Sequence, residues 1–518
     1  MSTGFILTHT SSLASTLHVS KGEILQTLQS FVSAGESSIR WRIIDTSDSA
    51  YSQLDLSDWS TYVHILNDYY LGLGLEGSEY IPLFIVGGEN EIPMPRVENP
   101  TYAMRPSGRE FVCSDMMYCY VWRDTEDIDL QTFVDSAPRF AVGRLPLSEE
   151  HNMSDLQGYL DDCITFFSEG LDVQGTAITT AEVWMTASRD MVQDLPMASL
   201  SAERVPLNNR MVVCPPLDTE LSDMYEDYVQ ELQKVDFLVS NLHGGDTPGS
   251  PSFNGQAKND SRIKPQAIHP SMFRSACPLV FNTVACHGAR YTGYAIEDSM
   301  LYSAFRSGAM LYCGASDNAI GAGGDEEYGS CSEMLMKLYN VYLYKGIPAG
   351  LALMKAKEDY LRNCMKEDGS DCAMYTVLEF NLFGCPLLRL QPKLDAGYQP
   401  TLYGNPIVQM GKVNYRPVKS IPVEENAFNT NDLHAYLRKR VDENLFYIRQ
   451  KVEREVYLRL GLGAENIQQV LQVTQDNHEI GYRFIYMFTP HSTYRYLETY
   501  YLVNTNTKGD ITKIMQTK

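Results

Sequence analysis

A chain of 518 residues, 44% hydrophobic and 21% charged, has the make-up of soluble globular protein and enough length for two or three cores. No stretch approaches the eighteen apolar residues of a membrane-spanning helix. The formal charge of −23 sits almost wholly in residues 1–393, with 27 basic and 52 acidic side chains against 15 and 13 in residues 394–518; such a field disfavours nucleic acid and draws in basic peptide segments. The opening Met1-Ser2-Thr3-Gly4-Phe5-Ile6 has neither the basic region nor the sustained apolar run of a secretory signal, so a cytoplasmic protein without a membrane partner is expected. Eleven single cysteines, an odd number with no CxxC pair, argue against a disulfide framework and a structural zinc site. No metal or cofactor is expected.

In chain order, residues 1–145 alternate strand and helix patterns as an α/β layer does. Ile39–Ile44 reads as a strand, Leu54–Leu71 as a helix, Ile81–Val86 as a buried strand closed by Gly87-Gly88, and Pro138–Pro146 as a strand entering a turn. A helix over 148–168 and a strand over Thr176–Trp184 follow. Further on come a helix over 299–307, a strand over 309–313, the glycine-rich acidic loop Gly314–Ser330, helices over 331–344 and 349–365, and a closing segment Phe380–Leu390. Residues 394–427 read as a proline-punctuated linker. Beyond it lie an amphipathic helix near 431–460 and aromatic strand-like segments, a small α+β appendage. The expected domains are 1–145, 146–393 and 394–518.

Two short apolar strands carry the chemistry. Val235–Leu242 delivers His243-Gly244-Gly245, and Pro278–Val284 delivers Ala285-Cys286-His287-Gly288. A thiol needs a nearby imidazole to act as a nucleophile at neutral pH, and the carboxyl ends of adjacent parallel strands are where an open α/β sheet builds a site. The separation leaves room for a loop and a crossover helix, as a parallel pair requires. Cys286 is the candidate nucleophile and His243 the group that keeps its thiolate available and protonates the leaving amine. Gly244, lacking a Cβ, lets its N–H join that of Cys286 in an oxyanion hole. His287 reads as a packing residue, since neighbouring strand residues point to opposite faces.

Seven segments together resemble the gingipain-type cysteine peptidases of the caspase-like clan: Phe84-Ile85-Val86-Gly87-Gly88, Ser114-Asp115-Met116-Met117-Tyr118, Ala141-Val142-Gly143-Arg144-Leu145-Pro146, Leu242-His243-Gly244, Ala285-Cys286-His287-Gly288, Phe305-Arg306-Ser307-Gly308-Ala309 and Leu382-Phe383-Gly384-Cys385-Pro386-Leu387-Leu388. They span residues 80–390 in the family's order. The resemblance implies a caspase-like three-layer α/β fold, a mostly parallel sheet in two subdomains, with the α+β domain added. It implies a His-Cys dyad enzyme, a cysteine endopeptidase. It also implies that Glu182 orients His243 and that Asp190 takes a substrate guanidinium in the S1 pocket, with Asp194 in its place if the register shifts and Asp317 as a further pocket wall. The chain departs from the family at Cys385, where members have aspartate, and in its C-terminal 125 residues.

The expected activity is cleavage of a protein substrate after Arg, or Lys, by a regulated intracellular bacterial effector such as a defence-associated protease, with a regulatory or activating protein as a second partner. The loop Asp246–Arg262 and the neighbouring Lys264 supply basic residues for self-cleavage. Two other readings fit the same residues: a non-catalytic interaction module that kept the fold, and a secretion-associated signal-processing peptidase.

Overall fold

The computed structural model describes residues 3–35, 39–75, 80–101, 109–121, 138–200, 207–208, 211–214, 231, 234–245, 252–274, 278–324, 329–368, 370–400, 413–417, 433–475, 478–488 and 499–517. The strands of the first half are β1 (Thr3–Thr8), β2 (Arg40–Asp45), β3 (Ile81–Val86), the ribbon β4 (Arg96–Glu98) with β5 (Phe111–Cys113), β6 (Phe140–Leu145), β7 (Thr176–Thr180), β8 (Leu207–Asn208), β9 (Met211–Val213) and β10 (Phe237–Asn241). Next come the hairpin β11 (Phe253–Asn254) and β12 (Gln266–Ile268), then β13 (Val280–Thr283), β14 (Leu311–Ala315), β15 (Ile320–Ala322) and β16 (Phe380–Gly384). The C-terminal strands are β17 (Val413–Pro417), β18 (Ile467–Gln475), β19 (His478–Phe488), β20 (Thr499–Asn506) and β21 (Ile511–Thr517).

One sheet in the order β2-β1-β3-β6-β16-β14-β13-β10-β7-β9-β8 runs through the molecule. Its pairings are parallel except β14 with β16 and β8 with β9. Strands of such a sheet are covered on both faces and therefore read as unbroken apolar runs. Phe237, Val239, Val280 and Ile178 face a core shared with the helices Ser332–Tyr344 and Ala349–Asp368; Leu238, Phe281 and Ala177 face a second core under the helix Met300–Arg306. Three layers result, as expected. The break expected at residue 145 falls inside the sheet, because β6 pairs with β16 through Arg144 and Phe383.

Two of the resembling segments meet there. Arg144, fully buried, places Nε and Nη2 on the two Asp115 carboxylate oxygens at 2.8 and 2.7 Å, and Nη1 donates to the Ile92 carbonyl at 2.8 Å. The Asp115 N–H is held by Asn381 Oδ1 of β16 at 2.8 Å. Gly143 is required beside them, since a Cβ would stand 2.4 Å from the Gly384 carbonyl.

Three local expectations change. The strand expected over 176–184 ends at Thr180, and Glu182–Trp184 forms a 3-10 turn. Between β10 and β13 the described residues make the β11/β12 hairpin and a 3-10 turn at Pro270–Arg274, with no crossover α-helix among them. The glycine-rich loop holds strand β15, whose Ala322 N–H is gripped by the buried Glu333 carboxylate at 3.0 and 3.1 Å. Residues 325–328 of that loop, 246–251 after His243, 401–412 and 418–427 of the expected linker, and 428–432 beyond it lie outside the described residues.

The C-terminal region is a helix, Leu433–Leu460, on a sheet ordered β15-β21-β20-β19-β18-β17. Alternation gives that sheet two apolar faces. Tyr482, Phe484, Tyr486 and Val503 pack on Ile448, Val452 and Val456 of the helix, while Leu471, Ile485, Leu502 and Met515 enter the main core. Through β15, whose Ile320–Ala322 pair antiparallel with Met515–Thr517, it is fused to the body rather than appended.

Candidate active site

Strands β10 and β13 are parallel neighbours with Ser240 opposite Thr283. His243 and Cys286 each lie three residues past that pair, so in-register geometry sets them side by side at the carboxyl ends. The backbones close further at the next residue. A Cβ on Gly244 would stand 1.9 Å from the Cys286 carbonyl oxygen and 3.1 Å from its nitrogen, so only glycine fits. Beyond Cys286 the chain turns sharply: His287 takes a left-handed φ of 52°, and Gly288 N–H bonds the Ala285 carbonyl at 3.2 Å. Cys286 Sγ faces the Ala319 carbonyl, 3.7 Å away, just before β15.

His243 is fixed from three sides. Its backbone exchanges two 2.8 Å hydrogen bonds with Asn254 of the hairpin. Its ring lies 4.6 Å from that of Trp184, tilted by 57°. Its Nε2 is 2.7 Å from Gln256 Oε1, which also accepts from Gln516 Nε2 at 3.2 Å. An amide oxygen can only accept, so Nε2 carries the proton and Nδ1 keeps the lone pair a base needs. His243 and Cys286 are 2% and 3% exposed, and the cavity beside them, lined by Gly245, Phe253, His287 and Arg290 among others, holds about 20 Å³, the size of a single water.

The acidic candidates fall in different places. Glu182 accepts from the Lys258 N–H at 3.0 Å; the 3-10 turn aims it at the hairpin, and Trp184 meets the imidazole where a glutamate was expected. Asp190 is buried and paired with Lys337 Nζ at 2.6 Å, and Asp194 lies 3.9 Å from the same ammonium. Burial pushes the Asp190 carboxyl up and Lys337 pulls it down, so a substrate guanidinium reaching it would have to displace an ammonium already seated. Asp317 stands beside the nucleophile turn: its carbonyl accepts from His287 N–H at 2.8 Å and its carboxylate lies 3.8 Å from His287 Nδ1. Lys264, expected at a cleavable surface, is buried, while Arg262 is exposed and bonded to Asp260.

Trp184 and Gln256 carry no sequence signal that marks them as site residues. A hairpin starting ten residues after His243 brings Gln256 back onto it, and no residue type at that spacing signals the contact. For a His243–Cys286 dyad, Gln256→Ala is expected to lower kcat about tenfold with KM little changed, because it would free the ring without removing the base; steady-state kinetics on a peptide substrate checks this.

Among the described residues, no group of three His, Cys, Asp or Glu is arranged to hold a metal ion, and the nine described cysteines are free thiols. No helix among them is long and apolar enough to cross a membrane. No protein-family model and no curated protein matches the chain. Among solved structures it is similar to the Arg-specific cysteine proteinase gingipain R (RgpB), at 10% identity over 97% of this chain and 95% of that one, with a TM-score of 0.47. It is similar to the complex of Porphyromonas gingivalis RgpB pro- and mature domains at 10% identity, over 99% of each chain, with a TM-score of 0.48. A third match, a structure described only as a protease, has 11% identity over 99% of this chain and 96% of that one, with a TM-score of 0.45.

Proposed function

We propose that this chain is a cysteine endopeptidase. The observation that carries the reading is the juxtaposition at the ends of β10 and β13: an imidazole fixed by Gln256, a thiol on the adjacent strand, and the Gly244 backbone pressed against the Cys286 peptide. In the reaction the Cys286 thiolate attacks the scissile carbonyl carbon, and its oxygen becomes an anion facing the N–H groups of Gly244 and Cys286. His243 passes a proton to the leaving amine, giving a thioester. It then takes a proton from water, whose oxygen attacks that thioester and releases the thiol.

Cleavage after Arg or Lys is part of the proposal. Asp317 supports it better than Asp190, since it adjoins the nucleophile turn and its carboxylate oxygens accept no hydrogen bond among the described residues. The acidic body would draw in basic segments. The protein substrate, an activating partner and a cytoplasmic setting belong to the same proposal; the burial of both dyad side chains supports the activating partner alone, since a regulated enzyme rests closed. That burial is equally what a non-catalytic interaction module would have, so the test must separate the two.

Fluorogenic peptides ending in Arg, Lys, Asp or Leu are to be offered to the protein and to its Cys286→Ala variant. Cleavage after Arg or Lys that disappears in the variant is the expected result, with Asp317→Asn lowering kcat/KM for those peptides by about tenfold or more. Cleavage after another residue discards the basic preference and keeps the mechanism. No Cys286-dependent cleavage, even of unfolded protein, supports the module.

A further inference from the structure

We propose that Lys264 is the electrostatic counterpart of the Cys286 thiolate, a buried positioning charge that makes the nucleophile available. The inference deepens the peptidase reading and rests on it for the word nucleophile.

The placement follows from backbone hydrogen bonds. Gly255 N–H donates to the Pro265 carbonyl at 2.8 Å and Ala257 N–H to that of Ile263 at 3.0 Å. Those two bonds put Gln256 directly opposite Lys264, on the same face of the antiparallel hairpin, with side chains adjacent. Gln256 spends its reach on His243 Nε2. Lys264, beside it, is 4% exposed and donates to Thr499 Oγ1 at 2.5 Å. The other side of this junction is the C-terminal sheet. Thr499 and Tyr501 share one face of β20, and Gln516 is the cross-strand partner of Tyr501; Gln516 and Tyr501 both hydrogen-bond Gln256.

A buried ammonium on a neutral hydroxyl is expensive unless an anion compensates it. Among the described residues no carboxylate lies within ion-pair distance of Lys264. Burial pushes the ammonium down to about 7, and among the described residues Cys286 is the ionisable group whose negative charge would hold it up. Linkage is reciprocal, so the ammonium lowers the cost of ionising the thiol. Among the described residues, the other titratable groups of this junction are His243 at the end of β10, His287 on the Cys286 turn, Asp317 after β14, Cys214 behind Gly255 at the end of β9, and the Tyr501 phenol over Gln256. Lys264 is the buried cation that the hairpin adds to this group.

The experiment follows alkylation of Cys286 by iodoacetamide across pH 5.5–10, read by peptide mass spectrometry, in the full chain, in Lys264→Met and in Thr499→Val. Methionine keeps most of the aliphatic volume, and circular dichroism checks that both variants fold. The expected result is that Lys264→Met reacts about tenfold more slowly near neutral pH, with its rate–pH curve moved up by about one unit, because a positive charge near the thiolate is gone. Thr499→Val, which loses the hydrogen bond and leaves the amine in place, is expected to move the curve less than Lys264→Met does. Superposition of the Lys264→Met and parent curves overturns the inference. So does an equal displacement in Thr499→Val, which would make the junction's shape the cause. The readout does not need hydrolysis: a displaced curve in a protein that cleaves no peptide keeps the Lys264–Cys286 coupling and fails the peptidase reading.

Discussion

Gly244→Ala is expected to reduce kcat/KM by about a hundred- to a thousandfold while leaving a folded protein. The added methyl would sit 1.9 Å from the Cys286 carbonyl oxygen and 2.9 Å from its carbon, and both are main-chain atoms that cannot swing aside. The ends of β10 and β13 must therefore part by an ångström or more. A displacement of that size between nucleophile and base costs about a hundredfold, and withdrawal of one oxyanion donor costs another factor of that order. The stability loss is that of overpacking, about 1–3 kcal/mol. Gly158→Ala is the natural comparison. It lies exposed in the helix Met153–Glu169 with nothing within 4 Å of the new Cβ, and should gain up to about 1 kcal/mol with unchanged kinetics. Peptide hydrolysis and urea unfolding of the two variants test this together. Near-parental activity in Gly244→Ala would mean that the two strand ends do not approach as described.

The second large effect is on stability alone. Arg144→Met should lower the unfolding free energy by about 3–5 kcal/mol, the cost of stranding a buried charge. Asp115 would keep its carboxylate in the core, and the Ile92 carbonyl would lose its donor. Removing both charges, in Arg144→Met with Asp115→Leu, should be milder than either single change, since no unpaired ion is left. Urea midpoints at constant m give the comparison. Activity per folded molecule should stay near the parental level, because the pair braces β3, β6 and β16 and touches no dyad residue.

Much of this was legible in the residues because parallel strands buried on both faces announce themselves. Phe237–Asn241 and Val280–Thr283 are apolar runs ending in glycine-bearing turns, and their pairing placed His243 and Cys286 together. The segments around Asp115 and Arg144 could be picked out by resemblance, yet nothing in either one states that they form one ion pair. The misses have a common cause. Gln256 and Lys264 are polar residues in a short hairpin, where period-2 alternation has too few residues to be seen. Ile320–Ala322 is a three-residue strand inside a glycine-rich stretch, paired with residues nearly two hundred positions away. Asp190 sits on a helix surface by its sequence, and only the packing of Ser332–Tyr344 reveals that Lys337 covers it. Local pattern finds elements; it does not find what a distant element lays over them.

The pairing of β15 with β21 also has a consequence in time. Thr499, Tyr501 and Gln516, which close over Gln256 and Lys264, are translated after Cys286 by more than two hundred residues. At roughly 5–20 residues per second, the ribosome delivers the thiol and imidazole on the order of ten seconds or more before it delivers their cover. Until then β15 lacks the partner strand that it has in the full chain.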